Sequence, residues 1–86
     1  ISASLTVSSP RLDCVVSALA GVSRSKADEL ISLGFVSVNS VVTEKSTKQI
    51  TDGDVISIRT KGKFIIESTS AKTKKDRTIL EFKKYF

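Results

Sequence analysis

The chain has 86 residues and a formal net charge of +5, with 40% hydrophobic and 27% charged residues. This length suits one folded domain and is too short for two, and the composition is ordinary for such a domain. With one cysteine and no histidine, the sequence excludes an internal disulfide and a cysteine-cluster metal site, and no zinc site is expected.

The N-terminal residues predict a short extended segment followed by a helix. Leu5 and Val7 alternate with small polar residues, which fits either an edge strand or an ordered arm. Ser9 and Pro10 predict an N-cap with proline at the first helical position, and Gly21 predicts the end of the helix. One apolar stripe with helical spacing is formed by Leu12, Val15, Val16 and Leu19.

A second helix is predicted directly afterwards. Ser23 is its N-cap, and Val22 and Ala27 occupy the hydrophobic staple positions on either side of that cap. Gly34 supplies the C-terminal stop. The stripe predicted to be buried comprises Ala27, Leu30 and Ile31. Because only about three residues separate the two helices, they must pack on each other or on a common sheet.

Short strands are predicted after the helices. FVSVN alternates and is predicted to pair with VVTEK across a turn at Asn39-Ser40, and DVISIRT alternates after a turn at Asp52-Gly53. KFIIES and RTILEFKKYF predict a hairpin added to this core, joined by the polar, basic loop SAKTKKD. The residues predicted to share one face in each core strand are Val36 with Val38 and Ile56 with Ile58.

Positive charge is concentrated in the last third of the chain. Residues 1–58 carry five basic and six acidic side chains, whereas residues 59–86 carry nine basic and three acidic ones. This distribution fits a polyanionic partner, with nucleic acid ahead of a membrane surface, and equally a solvated lysine-rich surface. No apolar run approaches the ~20 residues of a membrane span, so no membrane partner is expected.

No catalytic constellation is evident in the sequence. General acid–base catalysis needs a histidine or a carboxylate of shifted pKa in a cleft, and the carboxylates here fall on predicted helix surfaces or beside a turn. Cys14 lies between apolar neighbours without a histidine partner, which indicates a structural role. The four glycines are isolated, so a phosphate-binding glycine loop is excluded. We therefore expect no enzymatic activity, cofactor, metal or small-molecule substrate.

Cations occupy the first turns of both predicted helices: Arg11 in the first, Arg24 and Lys26 in the second. A helix N-terminus is already positive, so an unopposed cation there costs a few tenths of a kcal/mol to about 1 kcal/mol. A docked anion reverses that sign, because it meets free backbone N–H groups, the Ser23 and Ser25 hydroxyls and the cations together. We predict a phosphate site on this basic ledge (Arg11, Arg24 and Lys26); the alternative is ordinary solvated helix surface.

Five motifs in order resemble a known family. Within residues 10–60 these motifs are RLD, SRSKA followed by LI and Gly34, VSVN and GDVISI. Together they resemble the S4-type RNA-binding domain. The resemblance implies an α+β, S4-like fold (the alpha-L motif): two short N-terminal helices on a small, curved, mostly antiparallel sheet, with RNA on the helix ends and the adjoining strand. We expect one domain over residues 1–86, with a core at 9–60 and an added hairpin at 61–86.

The flanking segments TVSSPRLD, RTKGKF and TKKDR resemble the YlmH group of bacterial and plastid proteins. In that group the S4 domain is C-terminal, and its members are associated with the large ribosomal subunit and with rescue of stalled translation. The resemblance, and a first residue other than methionine, lead us to expect a fragment of a larger protein. It also implies a cytoplasmic or plastid location.

The resemblance assigns functional residues position by position. Asp13 of RLD is expected to orient a neighbouring arginine, and Asn39 is expected both to form a turn and to contact RNA. The cations of the hairpin loop, Lys72, Lys74, Lys75 and Arg77, fit either a second contact or a solvated tip. The predicted RNA-binding residues are Arg11, Ser23, Arg24, Ser25, Lys26, Asn39, Lys61 and Lys63.

Backbone contacts from helix ends favour structured RNA, namely ribosomal RNA or tRNA, because such contacts recognise shape more than base sequence. Phe64 and Phe82 fall in strand patterns and are expected in the core, which argues against a stacking platform for single strands. We predict a monomeric, non-catalytic RNA-binding module. The alternatives are a protein-interaction module that uses the edge of the C-terminal hairpin, and the targeting domain of an RNA-modifying enzyme.

Overall fold

The computed structural model of the chain describes residues 2–59, 61–72 and 78–85. Within these ranges, two helices follow a first strand and precede the rest of the sheet, as predicted for an α+β fold of the S4 type. The elements are β1 (Ser2–Val7), α1 (Leu12–Ala20), α2 (Arg24–Ser32), β2 (Val36–Val38), β3 (Val41–Val42), β4 (Val55–Ile58), β5 (Gly62–Lys72) and β6 (Thr78–Tyr85).

The strands form one antiparallel sheet in the order β1-β6-β5-β4-β2-β3. Its inner face packs under the helices, and alternation along each strand puts every second side chain there. The buried strand residues include Val36, Val38, Ile56, Ile58, Phe64, Ile66, Leu80 and Phe82. Phe64 and Phe82 meet edge to face, with ring centroids 5.9 Å apart, so their predicted place in the core is confirmed.

Helix α1 begins at Leu12, two residues later than the proline at the first helical position predicts. The carbonyl of Pro10 instead accepts the N–H of Ile50 at 2.8 Å, and Arg11 forms an isolated antiparallel bridge with Gln49. This pairing holds Arg11 in an extended conformation, with φ −78° and ψ 150°. The predicted start was wrong because a segment almost 40 residues away keeps this backbone extended.

The ends of α2 follow the local signals in the sequence. The Ser23 hydroxyl accepts the N–H of Lys26 at 3.2 Å, as an N-cap does. At the other end, the N–H of Gly34 bonds to Ile31 O and the N–H of Phe35 bonds to Leu30 O. This pair of bonds is the Schellman arrangement, which requires the positive φ of 78° that glycine adopts without strain.

The C-terminal hairpin of β5 and β6 is present as predicted, but it has no free edge along most of β6. Strand β1 pairs with β6 from Ser2 opposite Lys83 to Val7 opposite Thr78. The N-terminal segment is therefore an edge strand, and the predicted interaction through the hairpin edge is wrong in that form. The loop residues Lys74, Lys75 and Arg77 lie outside the described residues, as does the side chain of Lys72.

No helix among the described residues is long and apolar enough to cross a membrane.

Candidate nucleic-acid interface

Two arginines of the basic ledge converge on one buried carboxylate. The Nη2 atoms of Arg11 and Arg24 both donate to Oδ2 of Asp13, at 2.6 and 3.0 Å. The Asp13 side chain is 2% exposed, whereas those of Arg11 and Arg24 are 37% and 53% exposed. The carboxylate thus holds both guanidinium groups from beneath, and part of each arginine side chain remains exposed. The interpretation that Asp13 orients a neighbouring arginine agrees with this geometry.

The electrostatics of this cluster keep Asp13 ionised. Burial alone raises the pKa of Asp13, but the hydrogen bonds from Arg11, from the Cys14 N–H and from Arg24 outweigh it and hold the pKa below its ordinary value. The same hydrogen bond to Asp13 raises the pKa of Arg24 above its ordinary value. At neutral pH the cluster is therefore a charged triad of two cations and one anion.

Asp13 also accounts for the cations at the helix ends. It lies in the first turn of α1, where its Oδ1 accepts the N–H of Cys14 at 2.8 Å. A carboxylate is favourable at this end of a helix. Because α1 packs on α2, the same carboxylate offsets both Arg11, at the N-cap of α1, and Arg24, in the first turn of α2.

The N-terminus of α1 is closed by the protein itself. The N–H of Leu12 donates to Lys48 O at 2.8 Å, and that of Asp13 donates to Ser46 O at 3.0 Å. With Cys14 bonded to the Asp13 carboxylate, the first-turn N–H groups of α1 have partners. Helix α1 therefore offers the ledge the Arg11 guanidinium and no free first-turn N–H group among the described residues.

The N-terminus of α2 is open to solvent. Ser23, Arg24, Ser25 and Lys26 are all exposed, and the N–H groups of Arg24 and Ser25 have no acceptor among the described residues. Lys26 lies 3.5 Å from Glu29 in an exposed ion pair, which is weak in water. This end of α2, adjoining the arginine pair, presents free N–H groups, two hydroxyls and cations on one surface.

Arg11 is incompletely satisfied within the protein. Its Nε atom is buried and has no hydrogen-bond partner in the part of the chain that the structure describes. A buried donor without an acceptor costs about 1–3 kcal/mol.

Asn39 forms the predicted turn and also makes side-chain hydrogen bonds that the sequence does not predict. It lies in the β2–β3 turn with a positive φ of 53°. Its Nδ2 donates to Asp54 Oδ1 at 3.1 Å, and its Oδ1 accepts the N–H of Val55 at 2.9 Å. Both polar atoms thus tie this turn to the start of β4, and the expected contact of Asn39 with RNA stays a prediction.

The structure places Lys63 away from the ledge, and RNA contacts of Lys61 and Lys63 stay a prediction. Lys63 lines a groove together with Gly34 and Phe35, which directly follow α2, whereas the ledge lies at the other end of that helix. Nine helical residues separate the two ends, roughly 13 Å along the axis. Lys61 is exposed in the turn before β5.

Two further cations, Lys45 and Lys48, lie beside the ledge and were missed from the sequence. Their side chains are exposed, and the Lys48 carbonyl is the one that caps Leu12. The loop that carries them reaches α1 through backbone hydrogen bonds across a long stretch of sequence. No local pattern marks such a contact, so only the fold reveals it.

Two comparisons with known proteins identify what the chain is similar to. The family model of the S4 domain matches residues 10–56, more than half of the chain. The chain is also 38% identical over 79 residues, 92% of its length, to the ribosome-associated protein quality control protein P2 of Bacillus subtilis (strain 168). It spans 31% of the length of that protein. The resemblance to the S4 domain and to the YlmH group is confirmed.

Proposed function

The chain belongs to the S4 domain family, and from this we propose that it is a non-catalytic RNA-binding module that docks on structured RNA through the basic ledge. The convergence of Arg11 and Arg24 on the buried Asp13 carries this proposal. The RNA is ribosomal RNA or tRNA in a ribosomal complex. The name of the Bacillus subtilis relative, which describes a ribosome-associated protein, supports that choice.

The arginine pair suits the phosphate groups of an RNA backbone. A guanidinium carries five N–H donors in a planar fork that matches two phosphate oxygens, and Asp13 uses only one nitrogen of each arginine. The side chains are already held in place, so less conformational entropy is lost on binding. The open N-terminus of α2 adds N–H groups next to them.

The fixed spacing of these cations supports a structured RNA as the ligand. Both arginines are tied to Asp13, Arg11 within α1 and Arg24 across the packed helices, so they match phosphates that are themselves held at fixed positions, as in a helix or a junction. Phe64 and Phe82 are buried and offer no ring surface for successive bases. Shape and backbone readout therefore fit better than sequence readout along a single strand.

An amide NMR titration of the labelled chain with a ribosomal RNA hairpin tests the proposal. Shifts clustered at residues 11–13, 23–26 and 45–48 are expected. Affinity should also fall with salt, and three phosphate contacts correspond to a log–log slope of about −2 to −3. Shifts confined to β1 and β6, or binding that salt leaves unchanged, would contradict docking through the ledge.

A further inference from the structure

A second cationic surface lies on the outer face of the sheet, away from the ledge. A shallow groove of about 540 Å³ crosses the strands there. Its floor includes one cross-strand row, in which Ser37 of β2 pairs with Ser57 of β4 and Ser57 pairs with Lys63 of β5. Phe35 and Arg59 line the groove beside this row.

Arg59 is held against an aromatic ring at the groove. Its guanidinium carbon lies 5.0 Å from the centroid of the Phe35 ring. The backbone fixes the pair, because the N–H of Arg59 donates to the carbonyl of Phe35 at 2.8 Å. Arg59 is exposed, whereas Phe35 is partly buried. The guanidinium therefore lies over the ring, and the exposed part of the Arg59 side chain remains accessible to a ligand.

The chemistry of the lining favours an anionic, planar ligand. Arg59 and Lys63 are cations, and no carboxylate is among the described residues that line the groove. For Ser37 and Ser57, the described part of the chain shows no side-chain hydrogen bond that would occupy the hydroxyl. A nucleotide combines the groups that this set can bind: a base to stack on arginine, a phosphate for lysine and a sugar for the serines.

We propose that this groove binds an unpaired nucleotide of the same RNA, whose base stacks on the Arg59–Phe35 pair and whose phosphate meets Lys63. The inference rests on the proposed RNA-binding function and adds single-stranded RNA next to a structured element as the preferred ligand. The ledge holds the structured part, and the groove, at the opposite end of α2, holds the unpaired nucleotide.

Two RNAs that differ only in an unpaired segment test this inference. One is a blunt ribosomal RNA stem-loop, and the other is the same stem-loop with a single-stranded 3′ extension of a few nucleotides that contains 2-aminopurine. Stacking of one base on a side chain corresponds to about tenfold in affinity. We expect the 86-residue chain to bind the extended RNA about tenfold more tightly than the blunt RNA, with quenching of the 2-aminopurine fluorescence.

Variants of Arg59 separate stacking from charge. R59A should bind the blunt RNA as the unmodified chain does and lose both the preference and the quenching. R59K keeps the charge without the planar group and should lose most of the preference. K83A removes a cation from an exposed position on β6 and should keep the preference. Amide spectra of each variant establish that the fold is retained.

The outcomes distinguish this inference from the proposed function. If the unmodified chain binds both RNAs equally, RNA binding stands and the groove has no such ligand. An R59K variant that keeps the full preference, or an R59A variant that loses affinity for both RNAs alike, would also overturn the stacking. If the chain binds neither RNA, the proposed function itself fails.

Discussion

Arg24 of α2 donates a 3.0 Å hydrogen bond to Asp13 of α1, eleven residues earlier in the chain, across the interface between the two helices. The bond joins a side chain proposed to bind RNA to a buried carboxylate of the neighbouring helix. Because Arg11 bonds to the same carboxylate oxygen, a change at any one of these residues alters the other two. Four predictions follow from this arrangement and from the turn at Asn39.

Reversing the charge of Arg24 should remove most RNA affinity. In R24E, a phosphate contact is lost and a carboxylate faces the phosphate backbone. We therefore expect the dissociation constant for a ribosomal RNA hairpin to increase at least tenfold. Fluorescence anisotropy measures it. K83E makes the same charge reversal on β6, where Lys83 pairs with Glu67, and serves as the control. Affinity of R24E within about twofold of the unmodified chain would mean that the ledge is not the site.

Removing the negative charge of Asp13 should weaken RNA binding, although the increase in net positive charge would by itself strengthen it. D13N keeps the shape of the side chain but loses the charge that orients both arginines. Each side chain that must then be immobilised on binding costs about 0.5–1.5 kcal/mol, so a two- to tenfold loss of affinity is expected. E81Q, at an exposed position of β6, removes one negative charge from a strand outside the triad and serves as the control. If D13N binds more tightly, as E81Q should, Asp13 has no positioning role.

The stability of the chain should depend on Asp13 in acid. The pKa of Asp13 is lowered in the folded state, so its contribution to the free energy of unfolding is fully present above the unfolded pKa of about 3.9. The contribution is lost as the pH falls through the lower, folded pKa. Urea unfolding of the unmodified chain and D13N should therefore differ by roughly 1–3 kcal/mol at neutral pH and converge in acid. A difference that stays constant down to strong acid would contradict an ionised, hydrogen-bonded Asp13.

Asn39 should matter for stability more than for RNA binding. N39A removes the two side-chain hydrogen bonds to Asp54 and Val55 and places alanine at a positive φ. Left-handed geometry alone costs a non-glycine residue roughly 1–2 kcal/mol. N39G relieves that strain but not the lost bonds, so thermal unfolding should rank the unmodified chain above N39G and N39G above N39A. Anisotropy under conditions where all three proteins are folded should show equal RNA affinities. A loss of RNA affinity in both variants would support the predicted contact of Asn39 with RNA.

Local signals predicted most of the fold because their causes are local. Ser23 and Gly34 mark the ends of α2 through hydrogen bonds within a few residues of each. Alternation likewise identified Ile56 and Ile58 as core residues of β4. Local signals did not predict the start of α1 or the position of β1 in the sheet. The partners of these segments are residues 46–50 and β6, which lie far along the chain.

Local patterns also predicted part of the candidate site, whereas the rest depends on contacts between distant segments. Helix patterns placed Arg11 and Arg24 at neighbouring helix ends, and the RLD motif pointed to Asp13. Their shared contact with one carboxylate oxygen depends on how the helices pack. Lys48 and Arg59 carry no local signature, since their positions depend on backbone hydrogen bonds to Leu12 and Phe35.

The capping of α1 by the carbonyls of Ser46 and Lys48 has a consequence for the order in which the chain folds. The N–H groups of Leu12 and Asp13 exchange water for protein acceptors only when the connection between β3 and β4 docks, so we expect the start of α1 to form late. Native-state hydrogen exchange should then report docking directly. The amides of Leu12 and Asp13 should exchange together with that of Ile50, which bonds to Pro10, rather than with those in the middle of the helix.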